Sequence, residues 1–157
     1  LTELFGYTWE CDSGTKPIYE HHGFCFGVLV CSELQNMAHR QSFQGNVDAV
    51  FVISWNKDLD TFSALVESAA LDVHACIALA NNRMYGDSRA RVPAKQPYQR
   101  DLCRVRGGQN DYLVVVEFNY KSLREFQSRF KNWGRDGDLY KPMPEGYGIH
   151  PRRRMSP

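Results

Sequence analysis

Three short, continuous apolar runs constrain the fold of this 157-residue chain more than any other feature. They are Phe24–Val30, Ala49–Ile53 and Cys76–Ala80, and each is bounded by polar residues. A strand that is apolar at every position is typical of a sheet whose two faces are both covered. Because segments of helical spacing separate the runs, their order predicts crossover connections and an α/β layered fold.

The two segments between these runs carry the spacing of amphipathic helices. Residues 32–44 place Leu34, Met37 and Ala38 at helical intervals and end before Gly45, a residue type that commonly follows the end of a helix. The second segment carries a longer apolar stripe with intervals of three and four residues. Its members are Phe62, Leu65, Val66, Ala69, Ala70 and Val73.

The second half of the chain shows weaker periodicity. Residues 83–111 are rich in Gly, Pro and charged residues, which predicts loops with at most one short strand near residues 98–105. Leu113–Val116 predicts a further strand, and residues 122–130 predict a short helix.

The C-terminal residues have a different character. Residues 131–157 are rich in Gly, Pro and Arg and show neither helical nor strand periodicity. They predict an irregular tail, either disordered or laid across another surface. We therefore predict a partial α/β domain over residues 1–130, followed by this tail. Its Arg152–Arg154 run is expected to be solvated surface.

Composition excludes several functional classes. A formal net charge of +1 offers no global attraction for nucleic acid or an anionic membrane, and no run approaches the ~20 apolar residues that span a bilayer. The five cysteines form no CxxC pair and several lie in apolar runs, which predicts free thiols and a cytoplasmic location. His21, His22 and Cys25 match no common zinc spacing, so neither a metal nor another cofactor is expected.

Cys31 has the most informative position for chemistry. It directly follows the first apolar run and precedes a predicted helix. Backbone N–H groups at a helix N-terminus are unpaired, and the helix dipole is positive there, so a thiolate is favoured. The N–H of Ser32 can also stabilise an oxyanion after attack on a carbonyl or nitrile carbon. Taken alone, the same pattern fits an inert core cysteine.

The residues around Cys31 favour the chemical interpretation. Phe26–Leu34 has the sequence Phe-Gly-Val-Leu-Val-Cys-Ser-Glu-Leu, and Arg40 lies further along the predicted helix. This order resembles the nucleophile elbow of the nitrilase (carbon–nitrogen hydrolase) superfamily. The resemblance implies that the domain is part of a nitrilase-like α-β-β-α sandwich.

Further landmarks follow in the family's order over residues 24–116. Residues 47–55 resemble its next strand and pocket-edge turn, and residues 62–82 resemble its next helix and a strand that ends in Asn. The Gly-x-Ser segment of the family is matched by Gly86-Asp87-Ser88, with Pro93 after it.

The resemblance also implies the roles of individual residues. Cys31 would be the nucleophile that attacks an amide or nitrile carbon, and the Ser32 N–H would be the oxyanion donor. Around the pocket mouth it places Glu33, Trp55 and Asn56. Glu3 lies at about the distance expected for the family's second Glu and is a candidate catalytic carboxylate.

The chain also departs from the family pattern. The family's first Glu and its Lys come from strands and helices that the 30 residues before Cys31 cannot hold. Lys16 lies too close to Cys31 to match that lysine, and residues 68–72 lack the usual Arg-Ala-x-Glu-Asn sequence. We therefore expect a divergent C-terminal half of the domain, inactive alone.

Three functions stay open. The first is hydrolysis of a small amide, nitrile or carbamoyl compound by the intact protein. The second is a non-catalytic or regulatory nitrilase-like module of a larger protein, such as a bacterial reverse transcriptase, which would meet nucleic acid only through its polymerase domain. The third is plain binding or dimerisation. In each case the predicted helices cover only one sheet face, so the isolated chain is expected to form a homodimer.

Overall fold

The computed structural model describes residues 8–9, 16–129 and 136–155. These residues form one seven-stranded sheet in which the strands lie in chain order. Its strands are β1 (Thr8–Trp9), β2 (Ile18–His21), β3 (Phe24–Val30), β4 (Ala49–Ser54), β5 (Cys76–Asn81), β6 (Gly86–Arg91) and β7 (Asp101–Arg106). The α-helices in this part of the chain are α1 (Met37–Phe43), α2 (Leu59–Asp72) and α3 (Tyr120–Ser128). Short 3₁₀ turns cover Cys31–Gln35, Pro97–Gln99 and Pro151–Arg153.

The three predicted apolar runs are the three central strands. β3, β4 and β5 pair in parallel, with Phe26 opposite Ala49 and Ala49 opposite Cys76, while the flanking strands pair antiparallel. The α1 segment crosses from β3 to β4, and α2 crosses from β4 to β5. The predicted α/β fold with crossover helices is therefore confirmed.

The main core lies between the helices and one face of this sheet. On α2 the buried side chains include Phe62, Val66, Ala69 and Ala70, which are most of the predicted stripe. They belong to the same buried cluster as Leu29, Val50, Val52, Ile77 and Leu79 of the central strands. Burial of each Val, Leu, Ile or Phe side chain of this cluster stabilises the fold by about 1.5–3 kcal/mol.

A close approach of α1 to β3 explains the glycine in the first apolar run. A Cβ atom on Gly27 would lie 2.4 Å from the ring of Phe43, which is fully buried on α1. Only glycine leaves room for this ring against the strand. The glycine of the elbow segment is thus required by packing.

The opposite face of the sheet is covered only in part. Near the amino ends of the strands it buries Phe26, Ala49, Cys76 and Ala90, with Phe118 packed against them. Near the carboxyl ends it leaves large apolar side chains open: Val30 is 55% exposed, Phe51 39%, Ile53 59% and Trp55 74%.

Several predictions for the second half are wrong. Residues 83–111 contain two strands, β6 and β7, and not loops with one short strand. The predicted strand at Leu113–Val116 forms no ladder with the described residues, and Leu113 is 93% exposed. The helix predicted over residues 122–130 is correct in place but begins two residues earlier, at Tyr120, where Asn119 caps it through the Ser122 N–H.

A buried charge network holds α3 and the C-terminal segment to the sheet. Asp48, fully buried just before β4, accepts hydrogen bonds from the Cys25 N–H at 2.7 Å, Arg124 Nε at 2.6 Å and Arg153 at 2.8 Å. Arg153 also donates to the Gly45 carbonyl at 2.6 Å and to the Gln127 side chain at 3.1 Å. The expectation of a solvated arginine run is therefore wrong for Arg153, although Arg152 and Arg154 are exposed.

His74, two residues before β5, extends this network. Its ring contacts the carbonyl of Lys141 at 2.7 Å through Nε2, while the Gln127 amide donates to the His74 carbonyl at 2.6 Å. Burial lowers the pKa of His74 to about 4. The native state therefore holds the neutral imidazole.

This burial predicts an acid-sensitive stability. In the unfolded chain His74 titrates near its ordinary pKa of 6.5. Its contribution to the free energy of unfolding is therefore complete above pH 6.5 and is lost as the pH falls towards about 4. The free energy of unfolding should fall by about 3 kcal/mol over that window from this residue alone. Urea titrations between pH 7 and pH 4 measure the slope. A His74→Asn variant should show a flatter slope; an unchanged slope would assign the effect to other groups.

Candidate functional site

Cys31 lies at the carboxyl end of β3 in an unusual backbone conformation. Its φ is +48°, in the left-handed region that residues other than glycine rarely adopt. Such a residue costs on the order of 1–3 kcal/mol and persists only where its surroundings hold it. Cys31 therefore occupies a sharp strand-to-turn corner, which matches the predicted elbow in position.

The segment after Cys31 differs from the predicted helix over residues 32–44. Residues 31–35 form a 3₁₀ turn, the backbone is extended at Asn36, and α1 begins at Met37. The Asn36 side chain accepts the Ala38 N–H at 2.9 Å, because Asn is a strong helix N-cap. A turn of five residues carries little of the dipole that a longer helix would bring to the thiol.

The thiol of Cys31 is half-buried beside the next strand. The hydroxyl of Ser54, the last residue of β4, donates to Cys31 Sγ at 3.7 Å. Val30 and Ile53 are paired in the parallel register, so Cys31 and Ser54 are neighbours across the ends of β3 and β4. Ser32 is the second residue of the turn, where a backbone N–H has no partner within the turn. The predicted nucleophile and oxyanion donor are therefore adjacent at this edge.

The Glu33 side chain is hydrogen-bonded to the backbone just before Cys31. Its carboxylate accepts the N–H of Val30 at 2.8 Å and pairs with the Lys16 ammonium. The hydrogen bond from Lys16, followed by that from Val30, lowers the pKa of Glu33. The spacing of Lys16 from Cys31 does not match the family's lysine, yet the structure brings Lys16 to the elbow. The antiparallel pairing of β2 with β3 is the signal that could have placed it there.

Trp55 and Asn56 form the turn after β4. The Trp55 side chain is 74% exposed, whereas the Asn56 backbone is fixed by Asn81, the last residue of β5. Asn81 accepts the Asn56 N–H at 2.8 Å and donates to the carbonyls of Asn56 at 2.9 Å and Gly86 at 2.8 Å. The Asn81 N–H in turn donates to the Ser88 hydroxyl at 3.0 Å. The landmarks that end β4 and β5 and begin β6 thus form one hydrogen-bonded unit.

Other candidate residues lie elsewhere. Arg40 is buried on α1 and pairs with Asp72 at 3.1 Å and Ser68 at 3.2 Å, so it joins α1 to α2. Glu3 lies outside the described residues. The described residues contain no group of three or more potential metal-ligating side chains, and none of their helices is long and apolar enough to cross a membrane.

A groove in the described part of the chain lies apart from the thiol. It has a volume of about 580 Å³ and runs along the open sheet face and the segment that leads to α3. Its lining includes Phe51, Ile53, Ala80, Val105, Tyr112 and Val116, and does not include Cys31.

Solved structures with a similar fold include the following two. One is XC1258 from Xanthomonas campestris, a CN-hydrolase superfamily protein with an arsenic adduct in the active site: 14% identity over 73% of this chain and 47% of that chain, with a TM-score of 0.57. The other is a cysteine-to-alanine mutant of the Nesterenkonia AN1 amidase from the nitrilase superfamily: 15% identity over 64% of this chain and 40% of that chain, with a TM-score of 0.51.

These likenesses establish the fold. The described part of the chain has the α/β fold of nitrilase-superfamily structures and spans less than half the length of either one. No family model and no curated protein sequence matches the chain.

Proposed function

We propose that the chain is part of a carbon–nitrogen hydrolase-like domain in which Cys31 is the nucleophile that attacks a small amide or nitrile. The observation that carries the proposal is the left-handed Cys31 at the carboxyl end of a central parallel strand. Open α/β sheets form their sites at this edge, and nucleophile elbows use strained turns of this kind. The fold shared with an amidase and a CN-hydrolase superfamily protein supports the same chemistry.

The chemical step follows from the groups at the elbow. The Cys31 thiolate adds to the C–N carbon, and the charge that develops on the amide oxygen or nitrile nitrogen is stabilised by the Ser32 N–H. With an amide, ammonia leaves and a thioester forms on Cys31; water then releases the acid and restores the thiol. Ser54 orients the sulfur from the neighbouring strand.

The general base for this step is proposed to come from a part of the domain that these 157 residues do not include, since the chain spans less than half the length of either solved structure. Glu33, the carboxylate nearest in sequence to Cys31, is occupied by Val30 and Lys16. Proton transfer from a positioned base contributes ~10²–10⁴-fold to such reactions. The isolated chain should therefore form adducts on Cys31 without appreciable turnover.

The open sheet face supports a homodimer as the state of the isolated chain. Phe51, Trp55 and Tyr112 alone expose roughly 260–430 Å² if each aromatic residue presents about 150–250 Å². Ile53 and Leu113 add further apolar area, and a monomer seldom exposes a contiguous patch above a few hundred Å². If a second copy packs on this face with two-fold symmetry, the open face of each copy covers that of the other.

A second candidate function is a non-catalytic nitrilase-like module of a larger protein. The position of the groove on the open sheet face favours it, because that groove is not lined by Cys31. A polymerase fusion and a cytoplasmic location stay predictions; the latter is in keeping with the free thiols of Cys25, Cys31, Cys76 and Cys103.

Alkylation kinetics distinguish the two candidates. Burial raises the pKa of Cys25 to about 11 and that of Cys76 to about 12, so at pH 8 only about one in 10³ and one in 10⁴ of these groups is a thiolate. With iodoacetamide and peptide mapping, Cys31 should react at least about 10-fold faster than either. Cys103, half-buried like Cys31, is the matched comparison. Labelling of Cys31 no faster than Cys103 would favour the non-catalytic module.

A further inference from the structure

We infer that Glu33 is a positioning residue that, together with Lys16, holds Cys31 in its left-handed conformation. The inference deepens the proposed function and rests on it for its catalytic meaning. Its geometric part concerns only the contacts around Val30 and can be tested separately.

Glu33 and Lys16, together called the clamp, lie where the pairing between β2 and β3 ends. β2 and β3 pair antiparallel up to Ile18 opposite Gly27, and the same register would set Lys16 opposite Leu29. Pro17 has no N–H to donate, so the ladder does not continue beyond Ile18. The last residues of β3 therefore lose the partner on that side just before the elbow.

Glu33 supplies the missing partner. Its Oε2 accepts the Val30 N–H at 2.8 Å, and its Oε1 pairs with Lys16 Nζ. One carboxylate thus joins the end of β3, the 3₁₀ turn and Lys16, two residues before β2. Val30 is bonded directly to Cys31, so fixing its N–H from the turn side restricts the backbone on both sides of the cysteine.

The contacts on the other side complete the restraint. The Ser54 hydroxyl reaches Cys31 Sγ from β4, while the ladder with β4 holds Val30 through its pairing with Ile53. A non-glycine residue with φ of +48° persists only where its neighbours fix it. Without Glu33, we expect Cys31 to relax partly to negative φ, which moves the thiol away from the Ser32 N–H.

The amide resonance of Val30 reports on the clamp directly. In a ¹H–¹⁵N titration it should move with the ionisation of Glu33 at a midpoint below the ordinary value of 4.5, because Lys16 lowers the pKa of that carboxyl. Lys16→Met should raise the midpoint, and Glu33→Gln should abolish the titration and shift the Val30 amide already at pH 7. The exposed Glu125→Gln on α3 is the matched control and should leave Val30 unchanged.

Alkylation then tests the consequence for the thiol. At pH 8, Glu33→Gln should slow the reaction of Cys31 with iodoacetamide about 3- to 10-fold relative to Cys103, the change that loss of one ordinary hydrogen bond gives. Glu125→Gln should not change this ratio. The inference would be overturned if the Val30 amide shift did not change with Glu33→Gln or Lys16→Met. An unchanged ratio of Cys31 to Cys103 alkylation in Glu33→Gln would also overturn it. If the clamp titrates as expected but wild-type Cys31 reacts no faster than Cys103, the proposed function fails and the contact is structural only.

Discussion

Replacing Asp48 by alanine is expected to lower the free energy of unfolding by about 3–5 kcal/mol, a large part of the stability of a domain this size. The variant would leave Arg124 and Arg153 in the interior without this counter-charge, and the Cys25 N–H without its acceptor. Arg153 is fully buried, so water cannot replace the carboxylate without opening the structure.

Urea denaturation followed by circular dichroism measures this loss. Asp111→Ala is the matched control, because Asp111 also pairs with an arginine, Arg83, but the two side chains are 85% and 57% exposed. Exposed ion pairs contribute up to about 1 kcal/mol, so the control should stay close to the wild type. Equal losses in the two variants would contradict the role given to the buried network and to the C-terminal segment that it anchors.

The second large effect concerns association. At micromolar concentration the isolated chain should scatter light as a dimer of twice its 18.1 kDa mass. Ile53→Asp should weaken dimerisation at least about 100-fold, because it would place an unpaired charge at the centre of the proposed apolar interface.

Met37→Asp provides the control for this substitution. Met37 is 74% exposed on α1, away from the open sheet face, so the same change there should leave the mass unchanged. A wild-type species near 18.1 kDa at these concentrations would mean that the open face is tolerated as it is. Dissociation by Met37→Asp but not by Ile53→Asp would place the interface on the helix side.

The central strands were predictable because their signal is local. β3 matches the predicted run residue for residue, and β4 and β5 each extend one residue further, to Ser54 and Asn81. Each run is apolar throughout and sits between polar segments, so periodicity alone identifies it.

β6 was missed because its buried positions are charged. Arg89 and Arg91 lie on the helix side of the sheet, where Ser63 and Glu67 of α2 accept their guanidinium N–H groups at 2.8 Å. Asp101 on β7 pairs with Arg91 as well, at 2.7 Å. Hydrophobic patterns cannot reveal a strand whose burial depends on ion-pair partners from distant segments.

The position of the elbow was predictable from the sequence, but the side-chain contacts that hold it were not. The order of residues around Cys31 indicated a turn after a buried strand, and the structure has that turn. The contacts of Ser54 and Lys16 depend on the register of neighbouring strands, which one sequence does not specify. Leu113–Val116 shows the opposite error, because its apolar sequence predicts a strand, whereas a partner strand is needed to form one.

Acylation by p-nitrophenyl acetate tests the central claim, that Cys31 is a nucleophile, most directly. The thiolate would displace p-nitrophenolate and keep the acetyl group as a thioester, so release should stop after one equivalent per chain in the absence of a base for the second step. Peptide mapping should place the acetyl group on Cys31, and Cys31→Ala should abolish the burst, whereas Cys103→Ala should leave it intact. A burst that survives Cys31→Ala, or an acetyl group found on Cys103, would contradict the assignment of Cys31 as the nucleophile.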